Sequence, residues 1–357
     1  MTDLGARMFF TSDNAAGAHP EMLAALARAA EGPAMAYGND PLTARAEARI
    51  REVFEAPEAR ACLVATGTAA NSLALACLCP PWATVYTHEG SHIENDECAA
   101  PEFYTGGAKL TLLGGAGARI DAEALSAKIA AAAPHDLHNV QPGALSITQA
   151  TELGAVYTPA ETARLTAIAH DAGLPVHMDG TRFANAVARL GCSPAEASWK
   201  AGVDVLCLGA TKNGALAAEA VILFDPARAR EFELRRKRGG HLFSKMRFVA
   251  AQMDAYLTDG LWLKMAAHSN AMADLLAAGL AAAPGCRLVA PVEANMVFAD
   301  IPLGLHRRLT AAGARYHPAG GGQDEAGPDD APYRVRLVCS FETTEAEVAR
   351  FVGLLGA

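Results

Sequence analysis

Short apolar runs and amphipathic stretches alternate over the first two-thirds of the chain. Residues 59–79, ARACLVATGTAANSLALACLC, predict a strand, a Gly-Thr turn and a helix. Strand-like runs recur within 84–92, 108–115, 143–159, 203–210 and 219–224, and 161–180 reads as a helix leading into a strand. Helices are also expected at 19–32, with proline near its start and glycine at its end, and within 37–58 after a turn. Short apolar strands separated by helices predict a mostly parallel sheet.

The pattern changes near 225–260. A basic helix, ARAREFELRRKRGGHLFSK (227–245), leads into a long Ala/Leu-rich helical stretch. Strand-like segments then fall within 286–341, and a last helix is expected over 344–355. Three parts follow: an N-terminal arm over 1–18, a large α/β domain over 19–250 and a small α+β domain over 251–357. The segment HPAGGGQDEAGPDDAP (317–332) has the composition of a mobile loop. No internal repeat interrupts this order.

Composition narrows the class. A length of 357 residues is long for one core, and 51% hydrophobic with 19% charged residues describes a soluble globular protein. The net charge of −9 argues against nucleic acid or an anionic membrane as partner. No apolar run approaches the ~18 residues of a membrane span. The opening MTDLGARMFF lacks a basic segment followed by an apolar one, so a cytoplasmic location is expected. Eight cysteines are scattered, and Cys77 and Cys79 have no partner pair, so no metal site is expected.

Chemistry concentrates at the ends of two predicted strands. LPVHMDGTRFANA (174–186) places Asp179 after one apolar run, and VDVLCLGATKNGA (203–215) places Lys212 after another. An acid and a lysine at the carboxyl ends of neighbouring strands suit pyridoxal phosphate (PLP). The acid keeps the ring nitrogen protonated, and the amine forms a Schiff base with the aldehyde. Alone, each is an ordinary strand-end residue; together with an upstream phosphate loop they carry the reading. That loop is ATGTAANS (65–72), where Gly67 and Thr68 open a helix whose dipole and N–H groups attract an anion.

His92, five residues before Glu97, is a candidate to stack on a cofactor ring, with His88 as a weaker competitor. A loop histidine hydrogen-bonded to a carboxylate is the plain alternative. Arg182 in the DGTR segment can reach a cofactor oxygen or a carboxylate, and Arg336, inside the apolar run VRLV, is a candidate carboxylate clamp. Ser12, Asp13 and Tyr37 sit in irregular segments; each alone reads as a turn residue or cap, with lining of the same site as the functional alternative. The basic run 234–240 fits a solvated helix face.

SDNAAGAHP, YGNDPLT, ATGTAANSLAL, SHIENDE, VHMDGTRFANA, GATKNGA, RRKRGGHL and RVRLV occur here in an order and spacing that resemble the low-specificity L-threonine aldolases. These are β-eliminating lyase-like enzymes of PLP fold type I. The resemblance implies a mostly parallel seven-stranded sheet in the large domain, with a small α+β domain behind it. It implies Lys212 as the Schiff-base lysine, Asp179 as the ring-nitrogen partner and His92 as the stacking imidazole. Gly67 and Thr68 would form the phosphate cup, with Thr211 supplying a hydroxyl beside the lysine. Ser12, Arg182 and Arg336, with Glu97, would face substrate and cofactor oxygens. The site would lie at a dimer interface, within a homodimer or homotetramer, completed by Tyr37 and a basic residue such as Lys237.

The expected reaction is retro-aldol cleavage of threonine, allo-threonine or a phenylserine-type substrate to glycine and an aldehyde. One departure is notable: family members carry a second histidine in the loop matching 147–156, where this chain has Gln149 and Thr151. His92, Glu97 or a water held by them are then the candidate bases. A β-eliminating lyase, an aminotransferase or a serine hydroxymethyltransferase-like enzyme is the competing activity, and a PLP-fold sensor the competing class.

Overall fold

The computed structural model describes residues 8–132, 136–320 and 323–356. The first seven residues of the expected arm and residues 321 and 322 of the expected loop lie outside this set.

Strands β1 (Arg60–Val64), β2 (Ala83–His88), β3 (Lys109–Leu113), β4 (Gln141–Thr148), β5 (Val176–Gly180), β6 (Val205–Gly209) and β7 (Glu219–Leu223) form one sheet. Their spatial order is β1-β7-β6-β5-β4-β2-β3. The run from β3 to β6 is parallel, while β7 lies antiparallel between β1 and β6. The seven strands, mostly parallel, are those the apolar spacing predicts. Strands β5, β6 and β7 are buried at every position, which is why β6 and β7 after Glu219 are apolar runs instead of alternating ones, while β5 buries His177 and Asp179 among its apolar residues.

Helices cover the sheet, and their starts are written in the sequence. Pro20, Pro41 and Pro159 open helices where no N–H partner is lost. Thr158 and Glu161 form a reciprocal cap. Helix Gly67–Leu78 is capped by Thr66 and is buried from Ala69 to its end.

A second antiparallel sheet orders β8 (Arg287–Leu288), β9 (Met296–Pro302), β10 (His317–Pro318) and β11 (Pro332–Val338) as β10-β11-β9-β8. Helix Leu261–Ala282 serves both cores: Trp262, Met265 and Ala266 pack under the large sheet, and Met272, Leu276 and Leu280 under the small one.

Two segments that read as irregular are tied down. Met8 and Phe10 are buried in the small core. The Phe10 N–H donates to the Arg315 carbonyl at 2.7 Å, and its own carbonyl accepts from Val338 N–H at 2.9 Å. This anchoring brings Ser12 and Asp13 over the carboxyl ends of the large sheet's strands. In the loop after β10, the Arg307 guanidinium donates to the carbonyls of Glu325 and Gly327, both at 2.6 Å, and to Asp329. Composition alone suggested mobility there; the arginine supplies the cross-links that composition does not display.

Candidate active site

Strands β5 and β6 run side by side in parallel, with Asp179 opposite Cys207 and Gly180 opposite Leu208. Asp179 therefore ends one strand while Lys212 follows its neighbour, in the short turn Thr211–Asn213. The two chain segments approach closely here. A methyl group added at Gly209 would stand 2.6 Å from the Thr181 carbonyl oxygen, so only glycine lets β6 pass beneath the turn after β5.

The space above these strand ends is one cavity in two lobes, of about 330 and 390 Å³, sharing Asn14, His92 and Lys212. Gly67, Thr68, Asn71, Glu97, Thr181, Thr211 and Glu219 line the first lobe. Ser12, Asp96, Glu152, Arg182, Phe298 and Arg336 line the second.

Asp179 is buried below the first lobe. One carboxylate oxygen accepts from the Thr181 N–H at 3.0 Å and hydroxyl at 2.7 Å, and the other from Asn71 Nδ2 at 3.0 Å. Burial pushes its pKa up, but the Thr181 hydroxyl and the neighbouring His177 and His92 imidazoles outweigh this and hold it below the usual range. Asp179 is thus an anion facing a cavity. Above it, His92 opens a short helical turn and its Nδ1 meets Glu97 Oε1 at 2.8 Å. That bond, helped by the Asp179 charge and opposed by burial, raises the imidazole's pKa. Glu97 also accepts from Asn71 at 2.9 Å. It is buried behind the imidazole in the first lobe, away from the arginines with which the family resemblance grouped it.

Lys212 is half-buried, and burial together with the Arg182 cation lowers its pKa, which favours a nucleophilic free amine. Beside it the Thr211 hydroxyl donates to Glu219 Oε1 at 2.5 Å and accepts from Ala218 N–H. Burial raises the Glu219 carboxyl to about 7, with the Thr211 bond and Lys212 pulling the other way. At the opposite wall, helix Gly67–Leu78 presents its first N–H groups, which have no partner inside a helix.

Two arginines enter the second lobe differently. Arg182 is buried and held bidentately by Asp13, at 2.7 and 2.9 Å. Its charge is therefore already matched. Arg336 reaches in from β11; its one polar contact is a weak one to Met296 Sδ at 3.7 Å, and no carboxylate pairs with it among the described residues. Burial and the nearby Arg182 lower its pKa. A half-buried cation without a counter-ion is a place for an anionic ligand.

Of the residues singled out from sequence, Ser12, Gly67, Thr68, His92, Glu97, Arg182, Thr211, Lys212 and Arg336 line the cavity, and Asp179 lies under it. Tyr37 and Lys237 do not line it within one chain. The ammonium of Lys237 instead stands 4.4 Å over the half-exposed Tyr37 ring. Asn71, Thr181, Glu219 and Glu152 went unrecognised, although Asn71 lies in the ATGTAANS motif and Glu219 is a carboxylate at the start of an apolar strand. The loop residues Gln149 and Thr151 turn inward, Gln149 to the Tyr157 backbone and Thr151 to the Gly117 carbonyl.

The residues suit a flat cation-bearing ring with an aldehyde and a phosphate. A buried anion lies below, a low-pKa amine stands alongside and a helix start closes the end. Asn71 Oδ1 and Glu97 Oε2 are buried without a hydrogen-bond partner around the same space. No group of three or more His, Cys, Asp or Glu is arranged to hold a metal among the described residues.

Comparison with known proteins agrees with this geometry. The family model described as beta-eliminating lyase matches residues 10–302. A low specificity L-threonine aldolase of Pseudomonas aeruginosa is 44% identical over 337 residues, covering 94% of this chain and 93% of the relative. Another so named, from a Pseudomonas species, is 42% identical over 339 residues, with 95% and 94% covered. The solved structure of Leishmania major threonine aldolase superposes with a TM-score of 0.89 at 28% identity, covering 97% of this chain and 98% of that one. Serine palmitoyltransferase of Sphingomonas wittichii, 15% identical, shares the fold alone, with a TM-score of 0.71 and 98% and 86% covered. The fold is accordingly fold type I, and this chain is a member of the beta-eliminating lyase family.

Proposed function

We propose that this protein is a PLP-dependent aldolase that cleaves L-threonine and related β-hydroxy-α-amino acids to glycine and an aldehyde. The observation that carries the reading is the pairing of Asp179 and Lys212 at the carboxyl ends of β5 and β6, facing a cavity closed by a helix start. Relatives named L-threonine aldolase over nearly the whole length support the same reaction.

Lys212 would hold the cofactor's aldehyde carbon, with Asp179 under the ring nitrogen, His92 across the ring and Gly67, Thr68 and Thr211 around the phosphate. Bound there, PLP supplies an electron sink for the pair left at Cα when the Cα–Cβ bond breaks. Everything else falls to the chain. Arg336 and Ser12 take the substrate carboxylate, and Arg182, fixed by Asp13, shapes the wall beside it. Fixing the carboxylate fixes rotation at Cα and so decides which bond is weakened. Asp179 remains ionised at neutral pH because its hydrogen bonds and neighbouring charges outweigh its burial. Lys212 Nζ, kept in its low-pKa environment, returns a proton to Cα.

Tyr37 and Lys237, outside the cavity of a single chain, suit a role in the site of a second copy, which favours a homodimer or homotetramer. No described helix is long and apolar enough to cross a membrane. Phe298 and Ala319 are the apolar residues lining the second lobe, and their presence favours phenylserine-type substrates alongside threonine.

The test is direct: purified protein with PLP is mixed with L-threonine, L-allo-threonine or phenylserine, and glycine and aldehyde are assayed. Stoichiometric glycine and aldehyde are expected. Pyruvate with ammonia would instead make the enzyme a β-eliminating lyase, and turnover only with a keto acid would make it an aminotransferase.

A further inference from the structure

Retro-aldol cleavage needs an acceptor for the β-hydroxyl proton, and the two side chains that sequence nominates, His92 and Glu97, are bonded to each other. His92 is held toward its charged form by Glu97. Glu97 is buried behind that imidazole, has two donors on one oxygen and does not reach the second lobe. The arginine-lined lobe holds two other carboxylates, Asp96 and Glu152.

Asp96 is exposed at the rim, whereas Glu152 is half-buried. The backbone around Glu152 is rigid. Thr151 and Ala155 bond to each other through backbone and hydroxyl, at 2.9 and 3.0 Å, and Gly154 N–H closes on the Thr151 carbonyl at 2.8 Å. The turn needs the positive φ of Gly154, +78°, which favours glycine. Thr151 is further pinned to the Gly117 carbonyl at 2.7 Å. This frame leaves the Glu152 side chain in the lobe, with no hydrogen bond or ion pair to a described residue. Its charge is felt by His92, Arg182, Lys212 and Arg336, the four basic side chains around the substrate space.

We infer that Glu152 is the catalytic residue that accepts the β-hydroxyl proton. The inference rests on the aldolase reading. The proton passes from the β-oxygen to a Glu152 carboxylate oxygen, and the O–H pair becomes the second bond of the aldehyde carbonyl. The Cα–Cβ pair stays with Cα, which later gains a proton, so glycine and aldehyde account for every atom. Glu152 then returns its proton to water through the open side of the lobe.

Glycine has no β-hydroxyl, and this separates the role from carboxylate binding. With the PLP-loaded enzyme, Glu152→Gln should lower kcat for L-threonine about 100-fold or more. Calorimetric binding of glycine should stay within about twofold, since only the group meeting the β-oxygen has changed. Glu152→Asp, which keeps the carboxylate, should recover about tenfold of the loss. Turnover of Glu152→Gln within threefold of the parent, or a loss of glycine affinity as large as the loss in kcat, overturns the assignment. If the parent itself releases no glycine and aldehyde, the aldolase reading falls and takes this one with it.

Discussion

The two lobes of the cavity are built in opposite ways. The cofactor-side lobe is formed by strand ends and the turns that follow them: Gly67 after β1, Asp179 at β5, Lys212 after β6. The substrate-side lobe is assembled from segments far apart in sequence: the anchored arm with Ser12 and Asp13, the turn at Glu152, and Arg336 from the small sheet. The first is set by the sheet itself and the second by how other segments dock onto it. Chemistry common to many reactions can thus sit on the rigid frame, while the choice of substrate sits on parts that vary independently.

The comparison can be broken by substitutions that should act on one lobe and spare the other. Lys212→Ala should lower kcat/KM at least a thousandfold and abolish the absorbance of the bound cofactor near ~420 nm, since it removes the only attachment point. Asp13→Asn strands the buried Arg182 charge, and urea unfolding should show a loss of about 3–5 kcal/mol, larger than a surface ion pair would give. Asp179→Asn should reduce kcat about 100- to 1,000-fold with threonine KM changed little. Arg336→Ala should do the reverse, raising KM roughly 10- to 100-fold, as expected for one charge-assisted hydrogen bond, with cofactor binding retained.

The smallest effect concerns the support beneath Asp179. His177 is buried against Ser146 and Cys207, and burial depresses its pKa to about 4 despite the adjacent Asp179 charge. The unfolded chain holds that proton from about 6.5 downward, so stability is fully present above 6.5 and is lost as pH falls toward 4. Over one pH unit inside that window the loss is up to about 1.4 kcal/mol. Unfolding midpoints at pH 7 and 5.5 should therefore diverge more in the parent than in His177→Gln.

The sequence made the first lobe legible for a physical reason: strands alternating with helices place successive turns at one edge of a parallel sheet, so Gly67, Asp179 and Lys212 converge without further information. Glu219 escaped notice because β7 runs antiparallel. Its first residue, not its last, meets the ends of β1 and β6, opposite Val64 and Gly209. The second lobe was legible only in part. Arg336 betrayed itself as a cation in an apolar strand, but the Asp13–Arg182 pair spans 169 positions and leaves no local signature. Glu152 sits in an ordinary-looking loop whose direction depends on the Thr151 bond to Gly117 and the positive φ of Gly154. Tyr37 and Lys237 were named from sequence and meet each other outside the cavity.

The central claim is that the cofactor is carried by the amine following β6. Reducing the PLP-loaded protein with borohydride, digesting it and mapping the adduct by mass spectrometry tests this directly. A pyridoxyl group on the peptide containing Lys212, at close to one per chain, is the expected result. An adduct at any other lysine, or none at all, would contradict the account.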